Sequence, residues 1–140
     1  MELVIDANIL MSALISNQGR TFDLIFDERL RLFSPEFLFE EIKKHKNEII
    51  QKSGISTKEF DFLFSILLSK IEIISKEEFK TFIDKAENIT PDKDDTEYLA
   101  LALKLDCSIW SNDKKLKEQN QIKIINTSEL ITIIKVVGRQ

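Results

Sequence analysis

Four acidic side chains, Asp6, Glu41, Asp95 and Asp113, stand where the sequence pattern turns them toward a common crevice. Asp6 closes the first β-rich run in VIDAN, and Asp113 follows the fourth in IWSND. In an open parallel sheet the ligand crevice lies just beyond the carboxyl ends of the strands. Glu40 and Glu41 are neighbours on an amphipathic segment whose Leu38, Ile42, His45 and Ile49 form one stripe. At helical spacing Glu41 lies roughly 60° from the middle of that stripe and Glu40 nearly opposite it, so Glu41 can look inward while Glu40 faces water. Asp95, Leu99 and Ala102 recur at i, i+4 and i+7, which puts Asp95 where an apolar residue is expected. Its neighbours Asp92 and Asp94 suit an N-terminal cap and the helix dipole, with Asp94 near enough to serve as an accessory ligand. Taken singly, each acid has a plainer reading as a helix cap or a surface charge.

An inward carboxylate needs a positive partner. The arginines, Arg20, Arg29, Arg31 and Arg139, are not adjacent to any of the four acids. A cation is the natural alternative, and carboxylate oxygens suit the hard ions Mg²⁺ and Mn²⁺, which keep some water and take further ligands from substrate phosphate. Such an ion can lower the pKa of an attacking water and balance charge on a departing oxygen, the chemistry of phosphodiester hydrolysis. Zinc is not indicated: Cys107 and His45 are the only cysteine and histidine. Cys107 reads as a small buried apolar residue opening a strand, and His45 as a packed or rim histidine. The net charge of -4 excludes nucleic-acid binding by bulk positive charge, so any RNA contact must be local. Lys43, Lys44 and Lys46 on one helix and Lys114, Lys115 and Lys117 on another could supply it.

The elements that must position these residues alternate along the chain. Strands are expected at residues 2–6, 31–33, 71–74, 108–111 and 122–125, and helices at 8–15, 20–28, 35–50, 56–69, 76–86, 93–105, 113–119 and 127–136. Ser34 before Pro35, Ser56 with Glu59, Ser75 with Glu78, and Asn126 with Glu129 read as helix starts. No strand alternates strictly between polar and apolar residues, so helices should cover both faces of the sheet. The expected fold class is α/β, a single three-layer domain over residues 1–140. Its five-stranded parallel sheet has order 3-2-1-4-5, set by right-handed crossovers. The length suits one core and too little chain remains for a second. No stretch approaches the ~20 apolar residues of a membrane span, and Met1 to Ala7 lack a basic-then-apolar leader, which predicts a cytoplasmic protein with no membrane partner.

Four stretches, VIDANIL, FSPEFLFEEIKKH, PDKDDTEYLALAL and IWSNDKKL, together resemble the PIN-domain family, and in particular its compact VapC-like toxin ribonucleases. The opening motif alone is weak, whereas PDKDDTEYLALAL followed closely by WSNDKKL is specific. By position, the family's first acid falls on Asp6, its helical glutamate on Glu41, its third acid on Asp95 and its fourth on Asp113. Asn8 matches the small polar residue after the first aspartate, and Asn112 stands where many relatives carry glycine. The resemblance implies a PIN-like five-stranded sheet, Mg²⁺- or Mn²⁺-dependent endoribonuclease activity on single-stranded or structured RNA, and frequent homodimers. Compact members of this kind serve as toxins of type II toxin-antitoxin pairs, which adds a possible antitoxin protein as partner; other members process RNA in housekeeping roles. Phe22, Phe26, Phe60, Phe62 and Phe64 offer two helices more aromatic surface than a small domain obviously needs, consistent with self-association or with core packing.

Three rivals fit less well. A phosphoacceptor receiver needs an aspartate ending the third strand, where IEII runs into Ser75-Lys76. A haloacid-dehalogenase-type phosphatase needs a second aspartate where Asn8 stands. A degenerate PIN scaffold that binds RNA or protein without cutting is disfavoured because all four matched acids are present.

Overall fold

The computed structural model describes residues 1–137. Arg139 therefore lies outside the described residues. Five parallel strands, β1 (Glu2–Ile5), β2 (Arg31–Pro35), β3 (Ile71–Ile74), β4 (Ser108–Trp110) and β5 (Ile124–Ile125), form one sheet in the order β3-β2-β1-β4-β5. The order and the parallel sense are as expected from the βα alternation. Leu3 pairs with Leu32 on one side and Ser108 on the other, so β1 is central and its Leu3, Val4 and Ile5 are fully buried. Apolar side chains on both faces of β1 require cover on both faces.

That cover comes from eight helices among the described residues. In chain order they are α1 (Ala7–Ile15), α2 (Arg20–Ile25), α3 (Phe37–Ser53), α4 (Thr57–Leu68), α5 (Lys76–Phe79), α6 (Ile83–Ile89), α7 (Thr96–Leu105) and α8 (Thr127–Val137). The helix α1 packs with α2, α3 and α4, while α7 packs with α5, α6, β1, β2 and β4. Trp110, the largest of the fully buried side chains, donates its indole N–H to Thr127 Oγ1 at 3.0 Å, which ties β4 to the start of α8. No helix among the described residues is long and apolar enough to cross a membrane.

Several boundaries differ from the sequence expectation, most of them where a side chain competes for backbone partners. The first strand stops at Ile5 because Asp6 turns to cap α1. Ser34 does not cap a helix: β2 continues through Pro35, and the buried Ser34 hydroxyl donates to the Ile5 carbonyl at 3.1 Å. The following helix consequently runs from Phe37 to Ser53, ending at Gly54, whose positive φ of 74° closes it with a bond from its N–H to the Ile50 carbonyl. The expected helix over 20–28 ends at Ile25, and Asp27 instead gathers the backbone N–H and guanidinium of Arg29. The segment 76–86 is broken at Phe79 (φ -125°, ψ 9°), whose ring is completely buried, and Lys80–Phe82 form a 3-10 turn. Lys93–Asp95 and Lys114–Glu118 are also 3-10 turns where α-helix was expected. The last strand is confined to Ile124–Ile125, because the Gln119 amide bonds both the N–H and the carbonyl of Ile122.

Two of the expected helix starts form reciprocal caps. Ser56 and Glu59 bond each other's backbone N–H, as do Asn126 and Glu129. Ser75 makes no cap bond. Ser56→Ala should therefore cost about 1 kcal/mol in urea unfolding, while Ser75→Ala should be nearly neutral. Equal losses would show that the caps do not explain how these helices begin.

Candidate metal centre

Because Ile5 is paired with Trp110, the next residues of the two strands, Asp6 and Ser111, leave the sheet side by side. Asp6 is buried and caps α1, with Oδ1 accepting from the Ile9 N–H at 3.1 Å. The fully buried Ser111 donates its hydroxyl to Asp6 Oδ2 and accepts the Asp113 N–H at 3.1 Å. One serine oxygen thus joins Asp6 to the loop that carries Asp113. Asp113 in turn caps the following 3-10 turn, with Oδ1 accepting from the Lys115 N–H at 3.0 Å. Capping fixes the rotamers of both aspartates at the crevice, so the structural role and a role at the site are not alternatives.

Glu41 reaches the same region from α3 and is half-buried, whereas Glu40 is exposed, as the helical periodicity predicted. The Tyr98 hydroxyl on α7 donates to Glu41 Oε1 at 2.6 Å. Tyr98 is 1% exposed; burial, with Glu41 beside it, holds its phenol far above its ordinary pKa and keeps it a donor. Asp95 enters at the end of the 3-10 turn before α7, on the face shared with the buried Leu99 and Ala102. Its Oδ2 is buried without a hydrogen-bond partner. Such an atom is costly to leave unsatisfied, on the order of 1–3 kcal/mol and more when charged.

The carboxylates act on one another. Burial foremost pushes Asp6 up to about 6 against the hydrogen bonds from Ser111 and Ile9, and Glu41 and Asp113 add to the rise. Burial also pushes Asp95 up to about 7, followed by Asp113, Asp6, Asp92 and Glu41. Glu41 is raised by burial, against the Tyr98 bond, with Asp94 raising it further and His45 and Lys44 opposing. Asp6, Glu41 and Asp113 thus each act on Asp95, and Glu41 and Asp113 act on Asp6. Among the described residues, no three His, Cys, Asp or Glu side chains close around a single point as a finished metal cage.

The donor set fits Mg²⁺ or Mn²⁺: every candidate atom is a hard oxygen, and Asp95 Oδ2 has no donor of its own. Among the described residues Arg29 binds Asp27, Arg31 binds Glu72 and Arg20 lines a hollow with Asp23 and Asp27, away from these acids. Of the accessory residues, Asp94 lines a hollow of about 350 Å³ with Glu41 and Lys44. Asn8 is exposed on the first turn of α1. Asn112 is engaged elsewhere, its Oδ1 accepting the Thr127 N–H at 2.8 Å. Lys114 and Lys117 border a polar cavity beside Asp113, although Lys117 is paired with Glu129; Lys46 is paired with Asp61. His45 sits on the rim beside Glu48. Cys107 is half-buried, and burial raises its thiol to about 11. Sequence reasoning missed Ser111 and Tyr98. The available signal was spacing: Ser111 is two residues before Asp113, and Tyr98 is three after Asp95 on the same inward face.

A family model described as PIN domain matches residues 4–131. No curated protein matches the chain in sequence. Among solved structures, it is similar to a chain of VapBC2 from Rickettsia felis bound to a DNA fragment from their promoter. The TM-score is 0.64 at 15% identity over 90% of this chain and 98% of that one. It is also similar to PAE2754 from Pyrobaculum aerophilum, with TM-score 0.67 at 13% identity over 97% and 90% of the two chains. At these identities the likeness establishes the fold.

The raised pKa values set the sign of a pH dependence without metal. Asp6 and Asp95 bind protons more tightly when folded than at their ordinary value of 3.8. The folded chain therefore holds more protons than the unfolded chain between about pH 4 and 7, and stability falls as pH rises through that window. In excess chelator, wild type should lose melting temperature between pH 5 and pH 8 relative to Asp95→Asn, and the variant should melt at or above wild type at pH 8. A variant that melts lower at pH 8 would show that the Asp95 charge is not under strain.

Proposed function

The chain belongs to the PIN-domain family, and from that premise we propose that it is a metal-dependent endoribonuclease acting as the toxin of a type II toxin-antitoxin pair. The observation that carries the reading is the buried, unpartnered Asp95 Oδ2 among acids that raise one another's pKa. Asp6, Glu41, Asp95 and Asp113 hold Mg²⁺ or Mn²⁺, with Asp94 and Asn8 as accessory oxygens. Asn112, the third accessory candidate, serves the start of α8 with its oxygen. The bound ion supplies Lewis acidity and a water of lowered pKa. Ser111 holds Asp6 and the Asp113 loop in register, and Tyr98 aims Glu41. Lys44 and Lys114 are placed to meet phosphates entering the crevice from either side. The toxin assignment is supported by the likeness in fold to the VapBC2 chain, and an antitoxin segment covering the acidic crevice is the partner it implies.

Purified protein should cut single-stranded RNA in Mn²⁺, stop in excess chelator, and leave a 5'-phosphate and a 3'-hydroxyl. Asp95→Asn and Asp113→Asn should each lower the rate about 100-fold or more, above the roughly 10–100-fold expected for outer-shell partners such as Ser111→Ala and Tyr98→Phe. Mn²⁺ at about 100 times its dissociation constant should stabilise wild type by roughly 2.7 kcal/mol and leave Asp95→Asn unmoved. Chelator-resistant cutting, or 2',3'-cyclic phosphate ends, would refute the mechanism.

We also propose a homodimer. Of the five phenylalanines singled out in the sequence, Phe60 is buried and Phe22, Phe26 and Phe64 are half-buried. Phe62 remains 66% exposed on α4, and Phe39 on neighbouring α3 is 39% exposed with its ring edge against Phe64. These aromatic groups support self-association through the α3–α4 face. Light scattering at micromolar concentration should give the mass of two chains, and Phe62→Ser should lower it; a monomeric wild type ends the proposal.

A further inference from the structure

A second hollow, of about 490 Å³, opens between α3, α5, α6 and α7, within the roughly 300–1,000 Å³ of small-ligand sites. Phe37 and Ile83 give it apolar walls, Lys76 and Lys93 stand at its rim, and Thr96 and Glu97 form its α7 side. It shares one wall with a hollow beside the acidic centre. Phe37 also lines the hollow that holds Glu41 and Asp94, and its ring meets that of Tyr98 edge-on at 6.2 Å. The six-residue stretch Lys93–Tyr98 serves both: Asp94, Asp95 and Tyr98 face the acids, while Lys93, Thr96 and Glu97 face this cavity.

Glu97 is unusual for a first-turn helix glutamate, which is ordinarily solvated. It is half-buried on the wall of this cavity. No hydrogen bond steadies it, and neither it nor Lys76 or Lys93 forms an ion pair among the described residues. A carboxylate so placed accepts hydrogen bonds only, with two oxygens side by side. Among the RNA bases, guanine alone offers two adjacent donors, N1–H and N2–H, to such a pair. Adenine and cytosine set one amino group beside a ring acceptor, and uracil flanks its single N–H with two carbonyls. Unstacked bases of single-stranded RNA are commonly received against an aromatic side chain and read on this edge. Phe37 supplies that wall, and the rim lysines suit the flanking phosphates.

We infer that this cavity is a nucleobase subsite that takes a guanine of the RNA strand, read by Glu97 and packed against Phe37, next to the phosphate presented to the acidic centre. The inference rests on the proposed ribonuclease activity for its biological sense, but its binding test does not depend on catalysis. Fluorescence anisotropy in excess chelator would compare a labelled uridine hexamer with the same hexamer carrying one central guanine or one inosine, which lacks the N2 amino group. Wild type should prefer the guanine strand by about tenfold over all-uridine, with inosine in between. Glu97→Gln, whose folding is checked by its melt, should lose that preference, while Lys93→Ala should weaken all three strands alike. Equal binding of the strands, no binding of any of them, or a preference that survives Glu97→Gln overturns the subsite. In Mn²⁺ the cuts should fall at a fixed spacing from the guanine. Guanine-selective binding without any cutting would support the subsite and refute the nuclease reading, whereas chelator-sensitive cutting indifferent to guanine would do the reverse.

Discussion

Mutual repulsion among carboxylates withdrawn from water is the constraint around which this fold is arranged. Asp6 is buried beside Ser111, Asp95 has an oxygen with no donor, and Asp6 and Asp113 raise the pKa of Asp95. Left to themselves these groups would turn to solvent or take up protons. The surrounding structure prevents the first: a helix cap fixes Asp6, a serine oxygen spans from Asp6 to the Asp113 backbone, and a buried phenol grips Glu41. Every one of these restraints comes from a rigid element or its cap. Protons or a cation remain as the ways to lower the energy, so the unfavourable arrangement would also favour a bound metal ion.

The layers and strand order were legible in the sequence because they depend on coarse alternation of apolar runs, which only a few arrangements of βα units satisfy. The inward turn of Glu41 and Asp95 was legible for a similar reason: helical periodicity distinguishes Glu41 from Glu40 without knowledge of neighbours. What escaped was anything decided by a contact across the chain. Ser34 looked like a cap until the Ile5 carbonyl, 29 residues away, claimed its hydroxyl. Gln119 looked like the end of a helix over 113–119 until its amide bonded Ile122 and shortened the last strand. Tyr98 drew no reading at all, since its partner lies 57 residues earlier. Local pattern carries orientation, and partners must be supplied by the assembled fold.

The turn from Lys93 to Tyr98 shows how one short segment can feed two neighbouring hollows. A 3-10 turn advances by about three residues per revolution, against about 3.6 in the α-helix that follows. Changing from one to the other at Asp95 rotates successive side chains out of a single stripe. Asp95 and Tyr98 stay on the acidic side while Thr96 and Glu97 pass to the other. A continuous α-helix from Lys93, as the sequence suggested, would distribute these side chains differently.

The bond between Ser111 and Asp6 spans 105 residues of chain. The strand that must pair with β1 to bring Ser111 and Asp113 beside Asp6 is made about a hundred residues after it. During synthesis, at about 5–20 residues per second, the growing chain carries at most part of its acidic crevice for most of that time. The order of the strands thus delays assembly of the acidic crevice until most of the domain has been translated.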